Sequence, residues 1–381
     1  MIYRMTKLMD ICEIQGGYAF KSNSFQSEGI PVIRIGDIED YKIELKHTTV
    51  FVEHSFLDRY SNFIINKDDI LIALSGATTG KYGLYRSNNP ALLNQRVGRI
   101  IPNKSKVYHK FIYYYMNILK DRILKKAGGA AQPNISPKDI KEFEIPLPPL
   151  ETQKKIVDIL DKAQEIIDKR KEQIEKLDEF IQSVFLDMFG DPIINPKKWG
   201  LKKLGEIAKI TMGQSPKGSS YNNEGNGTPL LNGPTEFGEK YPVEKQWTIE
   251  PKKLCETGDI LFCVRGATAG RMNFANKEFC IGRGLAAIKA HNKSNQNYIY
   301  LILKNMYYHF QNTSDGSTFI NIGKDKLSDI PIPITDDELQ NKFAAIVEKT
   351  EQQKELLQKS LTEMENNFNS LMHRAFKGDL F

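Results

Sequence analysis

Residues 69–81, D-I-L-I-A-L-S-G-A-T-T-G-K, recur at residues 259–271 as D-I-L-F-C-V-R-G-A-T-A-G-R without a gap. Each copy joins a short apolar run to a loop of small residues that ends in a cation, Lys81 in the first copy and Arg271 in the second. A match of this length within one chain indicates an internal duplication, which decides the fold before any single element is assigned.

The duplication extends over nearly the whole chain. Upstream, K-L-M-D-I-C-E-I-Q-G-G at residues 7–17 matches K-L-G-E-I-A-K-I-T-M-G at residues 203–213. Downstream, I-P-L-P from Ile145 matches I-P-I-P from Ile330. The period is about 187 residues, so two copies account for nearly all of the sequence and leave no room for a separate catalytic domain.

Each copy begins with a predicted α+β domain. Short β-branched runs between Gly, Asn and Pro predict strands in the first copy, at residues 31–35, 70–74 and 97–101. Residues 106–126 are predicted to form a helix that ends at Gly128 and Gly129. The segment S-P-K-D from Ser136 predicts the capped start of a further short helix.

After each predicted domain comes a long stretch with coiled-coil spacing. Residues 151–188 contain no Pro or Gly, and apolar side chains recur there in steps of four and three, interrupted only by Arg170: Ile156, Leu160, Ala163, Ile167, Ile174, Leu177, Ile181, Val184 and Met188. The second copy repeats the pattern, with Thr350 and Lys354 as polar interruptions, at Phe343, Val347, Leu357, Leu361, Met364, Phe368, Leu371 and Ala375. This spacing predicts that the two helices pair with each other. The alternative is that each helix packs only against the core of its own domain.

The net charge follows the same alternation. Residues 1–149 and 191–335 each carry a net charge of +6, whereas residues 150–190 and 336–381 each carry −3. This distribution is expected if only the globular parts contact a polyanion.

An antiparallel pair of helices would relate the two copies by an approximate two-fold axis. A helix of about 38 residues is roughly 57 Å long. Such a spacer spans one or more turns of a DNA duplex, at about 34 Å each, so two basic domains could recognise two half-sites with an unread gap between them.

The composition excludes several classes of protein. The longest apolar stretch, around residues 111–119, is too short to span a bilayer, and the N-terminus lacks a signal pattern, so we expect a cytoplasmic protein. No C-x-x-C spacing occurs, which predicts reduced and mostly buried thiols at Cys12, Cys255, Cys263 and Cys280.

Motifs for catalysis are missing from the sequence. There is no G-x-x-x-x-G-K-[ST] and no H-E-x-x-H, and the six histidines have no ligand spacing. A G-x-G-x-x-A run from Gly282 is followed by no helix pattern. The Asn/Asp-Pro-Pro-aromatic signature of adenine methyl transfer is also absent, so we expect another chain to supply catalysis.

Residues suited to binding nucleic acid are better represented. The loop S-G-A-T-T-G-K from Ser75 offers small residues, backbone N–H groups, hydroxyls and a cation to a phosphate or a base edge. The alternative is a tight hairpin in which the glycines supply positive φ and the cation is solvated.

Positions that differ between the copies are candidates for sequence discrimination. Arg34 stands opposite Asn232, Ser75 opposite Arg265, and Arg96 opposite Gly284; Arg suits guanine, and Asn or Gln suits adenine. The full set of predicted DNA contacts is Arg34, Ser75, Thr78, Thr79, Lys81, Asn94, Gln95, Arg96, Gln214, Ser215, Asn232, Arg265, Thr268, Arg271 and Arg283. For any one of them, an ordinary polar surface residue is the alternative.

In its ordered motifs the chain resembles the DNA-specificity subunits of type I restriction-modification systems. The motifs are G-I-P-V-I-R-I-G-D-I from Gly29, the loop of residues 69–81, L-L-N-Q-R-V from Leu92, Q-P-N-I from Gln132, and I-P-L-P-P-L-E-T-Q-K-K-I from Ile145. The second copy departs from the first, with C-I-G-R-G-L-A-A-I from Cys280 and F-I-N-I in place of Q-P-N-I.

The resemblance implies the organisation and the partners. Two target-recognition domains would alternate with two helical conserved regions, at residues 1–149, 150–190, 191–335 and 336–381. Each recognition domain would bind one half of a bipartite site on double-stranded DNA, and the helices would bind two methyltransferase subunits and, through the complex, the restriction subunits. S-adenosylmethionine and the adenine chemistry would belong to those partners, with no cofactor on this chain.

Two alternatives remain at this point. The chain could serve a two-subunit restriction enzyme whose partner carries both nuclease and methyltransferase. It could also be a coiled-coil scaffold whose end domains bind protein rather than DNA.

Overall fold

The computed structural model describes residues 3–39, 41–128, 133–292, 296–307 and 321–380. The chain divides into two compact units. Unit 1 consists of Met1–Arg170 and Ser360–Phe381, and unit 2 consists of Lys171–Lys359. Two long helices therefore contribute one segment to each unit, α4 at Leu150–Phe189 and α8 at Asp337–Lys377.

Unit 1 contains eleven strands among its described residues: β1 Met5–Lys7, β2 Cys12–Gly16, β3 Ile30–Ile33, β4 Tyr41–Lys42, β5 Val50–Val52, β6 Ile64–Ile65, β7 Ile70–Ala73, β8 Tyr82–Leu84, β9 Ala91–Leu93, β10 Val97–Pro102 and β11 Glu144–Pro146. Its helices, apart from α4 and α8, are α1 Ser55–Arg59, α2 His109–Ala127 and α3 Pro137–Lys141. Three sheets result, in the orders β2-β10-β7-β8-β4, β5-β3-β9-β6 and β1-β11.

Unit 2 repeats this layout. Its strands are β12 Gly200–Lys203, β13 Ala208–Met212, β14 Tyr221–Asn222, β15 Thr228–Leu231, β16 Trp247–Thr248, β17 Leu254–Cys255, β18 Ile260–Cys263, β19 Met272–Phe274, β20 Phe279–Ile281, β21 Leu285–Ala290 and β22 Pro331–Ile334. The further helices are α5 Leu204–Ile207, α6 Gln296–Asn305 and α7 Lys324–Ser328. The sheet orders are β13-β21-β18-β19, β14-β16-β15-β20-β17 and β12-β22.

The topology confirms the duplication and the α+β class. In unit 1, β3 pairs parallel with β9 and antiparallel with β5; in unit 2, β15 pairs parallel with β20 and antiparallel with β16. The proline-rich I-P motifs form β11 and β22, which pair with β1 and β12 and so join the two ends of each domain.

The local predictions for the first copy agree with these elements. The three predicted strands are β3, β7 and β10, and the predicted helix is α2, whose C-cap is Gly128; Gly129 lies outside the described residues. Ser136 caps α3 by accepting the Asp139 N–H at 3.1 Å, and the Asp139 carboxylate accepts the Ser136 N–H at 3.2 Å. This reciprocal pair is the predicted capping box.

In unit 1, the α4 and α8 segments pack antiparallel. Ile156 and Leu160 share a buried core with Met372 and Phe376. Further along α4, residues 163–167 line a common groove with residues 364–374 of α8. Residue numbers therefore increase along α4 in the direction in which they decrease along α8, as in an antiparallel pair.

In unit 2, the remaining segments pack in the same sense. Asp178 accepts from Lys354 at 2.8 Å, and the ring of Phe185 lies 5.8 Å from that of Phe343. The pairing confirms the predicted antiparallel coiled coil. Lys354, one of the polar interruptions, also lies 3.3 Å from Glu239, and only 14% of its side chain is exposed.

The helices also contact their own domains, so both alternatives for the helix packing apply at once. Val157, Phe185, Phe189 and Phe376 are buried although they lie outside the predicted seam. Phe376 packs edge-on against Phe111 of α2 at 5.1 Å. The spacing rule considers a helix with one partner, whereas these helix ends have two.

The four cysteines are free and buried, as predicted. Among the described residues, no helix is long and apolar enough to cross a membrane.

Candidate nucleic-acid interface

In unit 1, three strand ends bring five of the predicted residues together. Parallel neighbours β3 and β9 end side by side, so Arg34 and Asn94 follow at one edge, where the Asn94 N–H donates to the Ile33 carbonyl at 3.2 Å. The Leu74 N–H donates to the Arg96 carbonyl at 2.9 Å, which brings Ser75 to the same edge. We call the set Arg34, Ser75, Asn94, Gln95 and Arg96 polar edge 1.

The side chains of polar edge 1 are not equally available. Gln95 and Arg96 are exposed. The Arg34 guanidinium donates to the Thr48 carbonyl and its Nε is buried, so this cation is held against the protein. The Ser75 hydroxyl is buried and has no hydrogen-bond partner among the described residues.

Unit 2 builds the same edge from the corresponding strands. Asn232 follows β15 and Gly282 follows the parallel strand β20, and the Gly282 N–H donates to the Leu231 carbonyl at 2.8 Å. The Val264 N–H donates to the Gly284 carbonyl at 2.9 Å, as Leu74 does to Arg96 in unit 1. Polar edge 2 comprises Gln214, Ser215, Asn232, Arg265 and Arg283.

Polar edge 2 exposes more cationic surface. Arg265 and Arg283 are exposed, and neither guanidinium has a partner within the described part of the chain. The Ser215 hydroxyl accepts the Arg283 N–H at 3.2 Å. Asn232 is exposed and donates through Nδ2 to Oε1 of Gln246 at 3.0 Å.

The glycine loop of each copy is a hairpin turn. Gly76, Gly80, Gly266 and Gly270 all have positive φ, between 73° and 89°. The N–H groups of residues 76, 79, 80 and 81 donate to carbonyls of the protein, and those of residues 269, 270 and 271 do likewise. These seven amides are therefore not available to a phosphate.

The loop hydroxyls also serve the turn. Thr79 is buried and donates to the carbonyls of Gly76 and Pro133 at 2.7 and 2.9 Å. The Thr78 hydroxyl is buried without a partner among the described residues, and the Thr268 hydroxyl lies 3.5 Å from the Cys263 sulfur. The hydroxyls of Thr79 and Thr268 thus have partners within the protein, as the hairpin alternative predicts.

The terminal cations of the two loops differ in environment. The Lys81 ammonium lies 3.5 Å from Glu39, which also pairs with Lys46. The hydrogen bond from Lys46, reinforced by Lys81, lowers the pKa of the Glu39 carboxyl below its ordinary value. Arg271 is exposed and has no acidic partner within the described ranges.

Sequence reasoning missed two residues at these edges. Tyr18 is 38% exposed, its carbonyl accepts the Gln95 N–H at 2.9 Å, and its ring lies 4.6 Å from that of Tyr60. The sequence signal that could have identified Tyr18 is its position directly after Gly17, which aligns it with Gln214 of the second copy. Gln246 could not be found from the sequence because its relevance depends on the contact with Asn232.

Two regions of the chain match one family model. Residues 3–177 and 196–366 each match the type I restriction modification DNA specificity domain. The two matched regions correspond to the two copies of the internal repeat.

Individual proteins agree with this match. The chain is 30% identical, over 99% of its own length and 93% of the relative's, to a protein of Methanocaldococcus jannaschii named as a candidate type I restriction enzyme specificity subunit, MjaX. It is 31% identical, over 42% of its length and 38% of the relative's, to the type I restriction enzyme MjaVIII specificity subunit of the same organism.

Solved structures have the same fold. A chain from a structure described as the basis of complex assembly and conformational transition of the type I restriction-modification system aligns with a TM-score of 0.59 and 25% identity, over 100% of this chain and 98% of that one. The type I restriction-modification S subunit of M. genitalium aligns with a TM-score of 0.52 and 18% identity, over 98% and 96%. The chain therefore belongs to the family of DNA specificity subunits of type I restriction-modification systems.

Proposed function

We propose that polar edge 1 and polar edge 2 each recognise one half of a bipartite, gapped site on double-stranded DNA. The observation that carries this proposal is the repetition of one backbone frame with different side chains. The corresponding strand ends and hydrogen bonds recur in both units, while Arg34, Ser75 and Arg96 are replaced by Asn232, Arg265 and Gly284. Domains that share a frame but differ at the exposed tips are suited to recognising different base sequences.

The long helices support a second part of the proposal, the docking of partner subunits. In unit 1, Ile166 is 54% exposed and lines a groove of about 370 Å³ together with Phe368 and Leu371. In unit 2, Leu356 is 65% exposed and Phe180 is 48% exposed. Exposed apolar side chains on helices favour packing of another protein's helices.

We assign to those docked partners the roles of methyltransferase and, through the complex, restriction subunit. On this proposal S-adenosylmethionine and the adenine-N6 chemistry belong to the methyltransferase, and this chain carries no cofactor and no catalytic group. We place the complex in the cytoplasm, where the chromosome is available to it.

The proposal is tested by sequencing modified bases in cells that express this chain together with its methyltransferase, compared with cells that express the methyltransferase alone. A gapped, asymmetric methyladenine motif should appear only with this chain. Exchanging residues 1–149 for the recognition domain of a relative should then change one half of the motif. A change in both halves, or the same motif without this chain, would refute the division of roles.

The two loop cations should differ in their effect on the salt dependence of DNA binding. Arg271→Ala should reduce the slope of log K against log salt by about one, as expected for the loss of one phosphate contact. Lys81→Ala should change it less, because Glu39 already balances that ammonium. Titrations of a cognate duplex at several salt concentrations measure both slopes. Lys342→Ala, which removes a cation paired with Glu338 on α8, is the control, and equal slopes for all three variants would contradict the assignment of Arg271.

A further inference from the structure

Two amide side chains of unit 2 are joined at polar edge 2. Asn232 follows β15, and Gln246 precedes the neighbouring strand β16, whose pairing with β15 continues in the hydrogen bond from the Leu230 N–H to the Gln246 carbonyl at 2.8 Å. The two side chains therefore emerge at one point. There Nδ2 of Asn232 donates to Oε1 of Gln246 at 3.0 Å.

This hydrogen bond decides which way the Asn232 amide faces. A carboxamide can rotate by half a turn at little cost, but while Gln246 presents Oε1, as it does in the structure, only one orientation of Asn232 directs an N–H to that oxygen. Asn232 then retains two groups for a ligand, the Oδ1 acceptor and the second hydrogen on Nδ2. Both lie on an exposed side chain.

The neighbouring glycines leave the space that this orientation needs. A Cβ at Gly282 would lie 2.6 Å from Oδ1 of Asn232, and a Cβ at Gly284 would lie 2.4 Å from the Asn232 carbonyl oxygen. Any side chain at either position would displace Asn232. The counterparts in polar edge 1 are Asn94 and Arg96, so that edge cannot hold the same arrangement.

The first unit differs at both members of the pair as well. Arg34 takes the place of Asn232, and its guanidinium donates to the Thr48 carbonyl instead of facing outward. Val50 pairs with Val32 of β3, just as Gln246 lies opposite Leu230 of β15. Val50 therefore takes the place of Gln246. The amide pair is therefore a feature of the second unit alone.

An acceptor beside a donor on one planar amide matches adenine. In the major groove adenine presents the N6 amino donor next to the N7 acceptor, and an Asn carboxamide can satisfy both at once. We propose that Asn232 makes the adenine-specific contact in the DNA half-site of unit 2 and that Gln246 is the positioning residue that orients it. This inference rests on the proposed function and assigns one base within it.

The test uses the full chain in complex with its methyltransferase and compares the wild type with Asn232→Ala and Gln246→Met. Both variants should relax one A·T position in one half of the methylated motif, with discrimination against other bases at that position falling on the order of tenfold or more. The other half should be unchanged. Competition binding with duplexes substituted at each position in turn measures the discrimination directly.

Gln246→Glu separates orientation from affinity. A carboxylate still accepts the Asn232 N–H, so discrimination at the adenine should be retained although the added negative charge lowers the affinity for every duplex. Asn232→Asp preserves the shape of the side chain and removes the donor, so preference should move from adenine towards cytosine, whose N4 amino group donates to a carboxylate. If Gln246 or Asn232 had a purely structural role, these variants would not change affinity and base preference separately.

An unchanged motif in Asn232→Ala and Gln246→Met would overturn the inference while leaving the proposed function intact. Relaxed specificity at a G·C pair would also overturn it. So would relaxed specificity in the half-site that changes when residues 1–149 are exchanged. If the wild-type complex methylates no gapped motif, the proposed function fails and the inference fails with it. Thermal unfolding of each variant shows that a relaxed motif does not come from an unfolded domain.

Discussion

Replacing Phe185 with alanine will lower the free energy of unfolding of unit 2 by about 3–5 kcal/mol. The side chain has no exposed surface, and its ring lies 5.3 Å from Phe189, 5.9 Å from Tyr298 and 5.8 Å from Phe343. These neighbours belong to α4, α6 and α8. Because three helices would have to move together to close the cavity, we expect little relaxation and a cost near the upper end for a buried Phe.

Tryptophan fluorescence in a urea titration measures this effect in the intact chain. Both tryptophans, Trp199 and Trp247, lie in unit 2, so the signal follows that unit. Phe180→Ala is the matched control, since Phe180 lies on the same helix and is 48% exposed. It should change the stability by no more than about 0.5 kcal/mol. Equal shifts for the two variants would contradict the packing of α4 against α6 and α8.

Replacing Gly213 with alanine will abolish recognition through polar edge 2, and replacing Gly17 will do the same for polar edge 1. A Cβ at Gly213 would lie 2.1 Å from the Gly282 carbonyl oxygen, and a Cβ at Gly17 would lie 2.1 Å from the Asn94 carbonyl oxygen. The backbone must move at both places. Because the backbone positions the side chains of each polar edge, the edge is displaced with it. The loss of two base contacts, at about 1–3 kcal/mol each, should lower affinity for the cognate site roughly 30-fold or more.

The glycine variants have neighbours that serve as controls. Gly16 precedes Gly17, and a Cβ there would meet only the Pro137 ring at 3.7 Å, an ordinary contact. A Cβ at Gly200 in unit 2 would meet nothing within 4 Å. Alanine at either position should leave the methylated motif and the duplex affinity unchanged. If Gly17→Ala and Gly213→Ala relaxed the same half of the motif, the two edges would not act as separate recognition elements.

Much of the fold was predictable because the sequence contains two copies of it and because its elements depend on short-range patterns. The apolar runs at residues 70–74 and 97–101 are strands that pair with each other. The step of four and three in α4 and α8 identified both long helices and predicted that they pair with each other. The capping box at Ser136 depends on four consecutive residues, so it needed no tertiary information.

The candidate site was predictable only in part. Several of the predicted residues follow strand ends, and Asn94 and Asn232 lie where parallel strands end. Their availability was not predictable, because Arg34 is held by the Thr48 carbonyl and Lys81 by Glu39. Residues 39 and 48 show no pattern that would link them to those cations.

Sequence patterns alone were enough to predict the duplication, the two long helices, several strands of the first copy and the alternation of basic domains with acidic helices. These depend on periodicity and on residue type, which are local properties of a chain. The folded arrangement is needed to distinguish the polar side chains that are exposed at an edge from those that are bound within the protein. That distinction depends on contacts between distant residues, such as Gln246 with Asn232 and Gly282 with Gly213, because a side chain's freedom to bind DNA is set by the neighbours that the fold brings to it.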